Sequence, residues 1–453
     1  MKEQSMIRDL TVDSVPRQLI RFALPFVASN LLQALYNIVD MSVVGQYVGS
    51  TGLSAVSVGG DILQLLTMLC MGFTSAGQIM IAQYVGAGRR KEIQYTIGTM
   101  FSTITLIALV FSFSGILFAG PVLGLLNTPP EAWEQALKYS ITCYCGLVFV
   151  YGYNTVSAVL RGMGDSKRPF LFISAAAGMN LILDLFFVVK FRMGAMGAAL
   201  ATVIAQGFSF VGSMIYLYIR RESFGFDFKP RSFAIRKEQV IPLFKLGGPM
   251  ALQHGAIMIS VIFVNSHINA YGLVVSAVNG IGSKLRNFVA IITNSISNAS
   301  SSMVGQNLGA KKHDRVRQVV RTGLTINLVY TTALCTVLLL LPEPVFGIFS
   351  RDPDVLGWAP IYMWVATVSF YASATMGPFN SVINGLGYAS LSLLIGLTDG
   401  VLARITLSLI FGHIFGIEGF WFGNVSAGFV TTIMAGAYYF SGRWRTRKLL
   451  VKE

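Results

Sequence analysis

Asp40 is the only charge between Arg21 and Asp61, set inside the apolar run YNIVDMSVVGQYVG. A second run, MNLILD, places Asn180 and Asp184 at i, i+4 spacing, one turn apart on one helical face. With Thr202, these residues offer carboxylate, amide and hydroxyl oxygens, the donors that hard cations take. Two carboxyl groups facing each other in a low dielectric cannot both ionise at small cost, so such a pair retains a proton and titrates as a unit. The expected chemistry is cation handling. Asp40 and Asp184 make a proton carrier, or an oxygen cage for sodium completed by Asn180 and Thr202. The plainer alternative is that each acid caps a kink or pairs with a polar neighbour. No metal site beyond that sodium cage is expected: Cys143 and Cys145 face different ways on a helix, and the four histidines share no ligand spacing.

The elements that must position these groups follow from composition. The 453 residues are 54% hydrophobic and 12% charged, with a mean hydropathy of +0.63, where a soluble domain carries about 25% charge. Apolar stretches of about 20 to 30 residues recur, each able to cross a hydrocarbon core about 30 Å thick. Twelve spans are expected, at 17–46, 51–82, 92–118, 131–160, 168–189, 194–219, 239–270, 274–304, 315–341, 355–385, 388–412 and 417–440. The first is too long for the core of a cleaved leader. Of the 34 Lys and Arg, 27 lie in residues 1–21, 89–91, 161–168, 220–245, 311–321 and after 442. The opposite connections hold Lys138, Lys190, Arg192 and Arg351. The positive-inside bias then places both termini and the 220–238 loop in the cytoplasm, for a multi-pass protein of a bacterial-type plasma (inner) membrane. The net charge of +14 reads as a topology signal rather than a nucleic-acid footprint.

The chain repeats itself at an offset of 223. Gln83-Tyr84-Val85-Gly86-Ala87 answers Gln306-Asn307-Leu308-Gly309-Ala310, and Arg161-Gly162-Met163-Gly164 answers Asn384-Gly385-Leu386-Gly387. Pro25 answers Pro249 at 224, and Gly197 answers Gly419 at 222. The expected fold is an all-α polytopic membrane protein, with twelve transmembrane helices in two six-helix lobes. Six spans per half keep both halves in one orientation, so the lobes are related by a parallel pseudo-two-fold axis. The expected domains are an N-terminal lobe (1–219), a cytoplasmic linker (220–238), a C-terminal lobe (239–441) and a basic tail (442–453). Pro25 and Pro249 should kink the first helix of each lobe.

Topology then gives depth. At 1.5 Å rise, Asp40 lies about seven residues, roughly 10 Å, below the outer face, with Asp184 and Thr202 at about the same level. An ionised, lipid-facing carboxylate there costs about 2.5–3.5 kcal/mol on insertion scales. Asp40 maps onto Val264 and Asp184 onto Leu407, so the cation site is expected in the first lobe alone. Gln33, Tyr36, Asn37, Tyr139 and Asn154 are candidates to line a substrate cavity, against ordinary packing as the plainer reading. Asp61, Lys284, Arg286, Asp399 and Arg404 are expected to be structural or gating charges, paired for example as Lys284 or Arg286 with Asp399.

Several classes are excluded. No Gly-rich phosphate loop ending in Lys-Ser or Lys-Thr supports an ATP-driven pump within the chain. Gly162-Met163-Gly164-Asp165 has the GxGD form of an intramembrane aspartyl protease, but it sits at a cytoplasmic helix end and its repeat partner lacks the acid. The protein is not expected to be an enzyme. A channel is disfavoured by the one-sided acid site.

The proline and acid of span one, the Gln-x-x-Gly-Ala turns after spans two and eight and the Arg-Gly-x-Gly-Asp turn after span four resemble the multidrug and toxic compound extrusion (MATE) transporters over nearly the whole chain. Within that family the sequence looks like the DinF-type branch, matched at Asp40, Asn180, Asp184 and Thr202, with Gln33, Tyr36 and Asn154 at neighbouring positions. It departs from the NorM-type branch, which has acids in spans seven and ten. The resemblance implies a cofactor-free secondary active antiporter, a monomer exporting organic, often cationic, compounds by alternating access in exchange for H+ or Na+. A flippase of lipid-linked sugar precursors is the rival reading, kept open by Lys284, Arg286 and Arg404.

Overall fold

The computed structural model describes residues 8–449. Residues 1–7, at the head of the first lobe, and 450–453, at the end of the basic tail, lie outside the described residues. Among the described residues every regular element is helical. Six long helices cover the first half: α1 (Val15–Tyr47), α2 (Ser50–Gly86), α3 (Arg90–Leu125), α4 (Pro130–Gly162), α5 (Lys167–Asp184) and α6 (Gly194–Ile219). Six more follow: α7 (Lys237–Asn269), α8 (Leu273–Gly309), α9 (His313–Leu340), α10 (Ala359–Leu386), α11 (389–415) and α12 (417–440). Nine helical stretches among the described residues are long and apolar enough to cross a membrane, the last of them spanning both α11 and α12. On that measure α8 and α10 are too polar, and α8 instead buries its polar second half, including Ser300, Ser302, Gln306 and Asn307.

The backbone carries the repeat as clearly as the sequence does. Left-handed residues recur at the same offset, Gly49 with Gly272, Gly88 with Lys311 and Gly164 with Gly387, and at 222 for Gly194 with Gly416. Gly416, at φ 64°, breaks an otherwise continuous helix into α11 and α12. Only glycine adopts that conformation without a Cβ clash against its own carbonyl.

Contacts divide the chain into two compact units within helices rather than at the 220–238 segment. One unit holds Arg8, Asp9 and Ala28–Ala251; the other holds Leu10–Val27 and residues from Leu252 onward. Both divisions fall two residues after a helix-interior proline, Pro25 in α1 and Pro249 in α7. There proline removes one i→i−4 hydrogen bond and crowds the preceding turn. The first turns of α1 bury Leu19, Phe22 and Phe26 against Met303, Leu308 and Val319 in the second unit. The first turns of α7 lie against α2 in the first unit, where Gly72 and Gly247 leave room for Ala251 and Phe73.

Close helix approach rests on small residues, as expected where lipid supplies no hydrophobic contrast. A side chain at Gly146 would strike Val203, one at Gly152 would strike Phe210, and one at Gly77 would strike Met100. The 220–238 segment is docked rather than loose. It forms Arg221–Phe224 and a 3-10 turn at Pro230–Phe233. Ser102 donates to the Phe233 carbonyl, the Arg236 amide donates to Thr99, and Gly98 lets the Ser232 carbonyl lie on α3.

Candidate cation site and the charges of each lobe

Asp184 ends α5 at the point where the helix widens into a π-turn, Leu185–Lys190. Such turns mark functional positions because they re-aim a side chain and loosen the i→i−4 ladder. Asp184 and Asn180 are 1% and 3% exposed, whereas Asp40, Tyr36 and Thr202 are half-buried. The structure brings four of the expected residues together. The carboxyl groups of Asp40 and Asp184 face each other. Neither carboxylate is a donor, so the two can hydrogen-bond only when one of them carries a proton. The Asn180 amide lies between Asp184 and Thr202. In the orientation that satisfies both ends, its nitrogen donates to Asp184 Oδ2 at 3.1 Å and its oxygen accepts from Thr202 Oγ1 at 3.3 Å. Tyr36 lines a small cavity together with Asn180 and Thr202 and so joins the same cluster. The Oδ1 atoms of Asp40 and Asp184 are buried with no hydrogen-bond partner among the described residues. The cluster thus retains two acceptor positions for a proton or cation.

A cavity of about 550 Å³ runs along α1 and α5 and ends on this cluster. Its walls are apolar, from Ala28, Leu31, Leu35 and Val39 on one side to Phe170 and Leu181 on the other, with Tyr36, Asn180 and Asp184 as its polar end. Of the other expected lining residues, Gln33 and Asn37 are exposed and do not line that cavity. Asn154 donates to the Val150 carbonyl of its own helix. Tyr139 is buried in one apolar cluster with Cys143, near Asp40. Spacing alone could have found Cys143, one turn beyond Tyr139, and Gln206, one turn beyond Thr202 in a second small cavity. Ser174, on the larger cavity, carries no such signal.

The remaining charges arrange themselves differently from the pairing expected. Asp399 pairs with Arg404 at 3.2 Å, not with Lys284 or Arg286. Asp399 lies in a second π-turn, Thr398–Ala403, whose i→i+5 register brings residues 399 and 404 to one side. Arg404 also donates to Asn424 Oδ1 at 3.0 Å. Arg286 donates to the hydroxyls of Tyr362 and Ser283, while Lys284 is exposed with its ammonium 5.7 Å from the Phe349 ring centroid. Asp61 is exposed.

Twelve long helices in two repeated units, with an apolar cavity that ends on Asp184 beside Asp40, give the architecture of a two-lobed membrane transporter. The chain belongs to the MatE family, whose profile matches it twice, over residues 25–186 and 249–410. The two matches begin at Pro25 and Pro249, one in each half. The MATE family is one of multidrug efflux transporters, not of enzymes. The chain is 28% identical over 453 residues to the probable multidrug resistance protein YpnP of Bacillus subtilis, covering 98% of this chain and 99% of that one. It is 26% identical to the probable multidrug resistance protein YoeA of the same organism, covering 94% of each. Its fold matches an outward-facing multidrug resistance MATE transporter with a TM-score of 0.90, covering 99% of this chain and all of that one at 20% identity.

Proposed function

We propose that this transporter exports organic compounds, cations among them, out of the cytoplasm by antiport against protons, with the coupling site at Asp40 and Asp184 in the first lobe. The observation that carries the reading is the facing pair of carboxyl groups, with Asp184 at the end of an apolar cavity. A single proton shared there neutralises one charge, and its loss leaves two facing carboxylates that attract a cation. Ion and substrate then compete for one cluster, and antiport requires that each favour a different state. In the outward-open state the pair takes up a proton, α1 shifts about the weak point after Pro25, and the cavity along α5 collapses and releases substrate. In the inward-open state substrate displaces the proton to the cytoplasm. The distribution of Lys and Arg supports a cytoplasmic position for both termini in a bacterial-type inner membrane.

Sodium is the second reading, favoured by the oxygen-rich cluster. Protons are preferred because the Asn180 amide spends its N–H on Asp184 rather than presenting oxygen to the acid pair. The absence of acids from α10, and from α7 beyond Glu238 in its first turn, fits the DinF-type pattern. In vesicles with separately imposed gradients, a fluorescent organic cation is expected to move against a pH gradient and to ignore a sodium gradient. Asp184→Asn is expected to abolish that movement while leaving the yield of folded protein unchanged. Transport driven equally by sodium alone would reverse the ion assignment, and normal gradient-driven export by the variant would remove the site.

A further inference from the structure

The second lobe repeats the architecture around the cation site but inverts its charge. In the first unit Gly59 leaves room for Tyr139, which lies beside Asp40. At an offset of 223, Gly282 leaves room for Tyr362 in the second unit. The position of Asp40 is taken there by buried Val264, in the same apolar cluster as Tyr362. The position of Leu63, one turn beyond Gly59, is taken by Arg286, which reaches the Tyr362 hydroxyl.

Arg286 differs from Arg404 of the same lobe. Arg404 is neutralised by Asp399, but among the described residues no carboxylate pairs with Arg286. Its partners are two neutral hydroxyls, Tyr362 and Ser283, the latter at 2.6 Å. Each accepts a hydrogen bond from the guanidinium, and each retains its own O–H proton to donate. The result is a positive fork flanked by two hydroxyl donors, the donor set that recognises a planar oxyanion. Arg286 is half-buried with no buried orphan nitrogen, so an edge of the fork remains accessible. A guanidinium in a spanning helix with no counter-charge is costly, and a bound anion offsets that cost.

We propose that Arg286, with Tyr362 and Ser283, forms an oxyanion subsite in the second lobe, filled by the carboxylate of an amphoteric substrate or by the phosphate of a lipid headgroup. The subsite rests on the export reading, and it gives that reading a place for the anionic group of a substrate.

The test uses the full chain in nanodiscs and two probes that differ only in charge, a carboxyrhodamine and its methyl ester, with binding read by fluorescence anisotropy. Arg286→Gln is expected to weaken the carboxylate probe about tenfold or more and to leave the ester within a factor of about two. Ester binding by the variant reports that it is folded and that the export reading is intact. Tyr362→Phe keeps the ring against Gly282 and is expected to weaken only the carboxylate probe, and Arg286→Lys to retain part of the discrimination. Short-chain phosphatidylglycerol distinguishes the two sources. Displacement of the carboxylate probe alone assigns the subsite to a lipid phosphate, and no displacement assigns it to the substrate. Equal losses for both probes in Arg286→Gln and Tyr362→Phe, or no loss for either, would overturn the subsite. If the wild type binds neither probe, the export reading falls and the subsite with it.

Discussion

At the scale of residues, the two lobes solve the problem of intramembrane charge in opposite ways. Asp40 and Asp184 face each other, the arrangement proposed to hold a proton, while Asp399 is spent on Arg404, which also donates to Asn424. Asp399 is 6% exposed, so its loss leaves a guanidinium without an acid in a dry place. Breaking one partner of a buried pair costs about 3–5 kcal/mol. Asp399→Asn is therefore expected to lower the detergent melting temperature clearly while transport of a cation per folded molecule persists. Unchanged melting would make the pair a surface feature. The convergence of Asp40, Asn180, Asp184 and Thr202 was legible because helix rise and topology alone set their level. The pairing of Asp399 was not legible, because a π-turn changes which residues share a side and leaves no mark in hydrophobic periodicity. Gln33 and Asn37 misled for a related reason: neighbours of Asp40 in sequence lie on other faces of α1.

At the scale of elements, proline and glycine decide what each helix does. α1 and α7 each belong to two units, and the change falls just after Pro25 and Pro249. The twelve helices were readable from apolar length, and their ends from Gly and Pro. The docking of the connecting segments was not, since it depends on single hydrogen bonds. Ahead of α1, Arg315 of α9 donates to the carbonyls of Val12 and Asp13 at 2.7 and 2.8 Å, and Lys312 donates to the Thr11 carbonyl at 2.9 Å. Asn307 also donates to the Leu10 carbonyl at 3.2 Å. Charge-assisted bonds of this kind contribute about 1.5–3 kcal/mol each. Arg315→Ala is expected to raise amide hydrogen exchange across residues 10–18 by about tenfold or more, with α8 and α9 still protected. Unchanged exchange there would mean that the apolar contacts of Leu19, Phe22 and Phe26 hold the segment alone.

At the scale of the molecule, one six-helix design appears twice, with matching left-handed turn residues and matching glycine–tyrosine contacts, yet only the first copy carries an acid pair. Under the proposed function that asymmetry lets one lobe carry the coupling ion while the other is free to diverge, as at Val264 and Arg286. The central claim is that substrate and proton compete for Asp40 and Asp184. The most direct test is proton release: the purified transporter is placed in weakly buffered detergent solution, an organic cation is added, and the pH is followed. The wild type is expected to release protons in proportion to bound cation, and Asp40→Asn together with Asp184→Asn to release none. Release of the same number of protons by the doubly substituted protein would contradict the assignment.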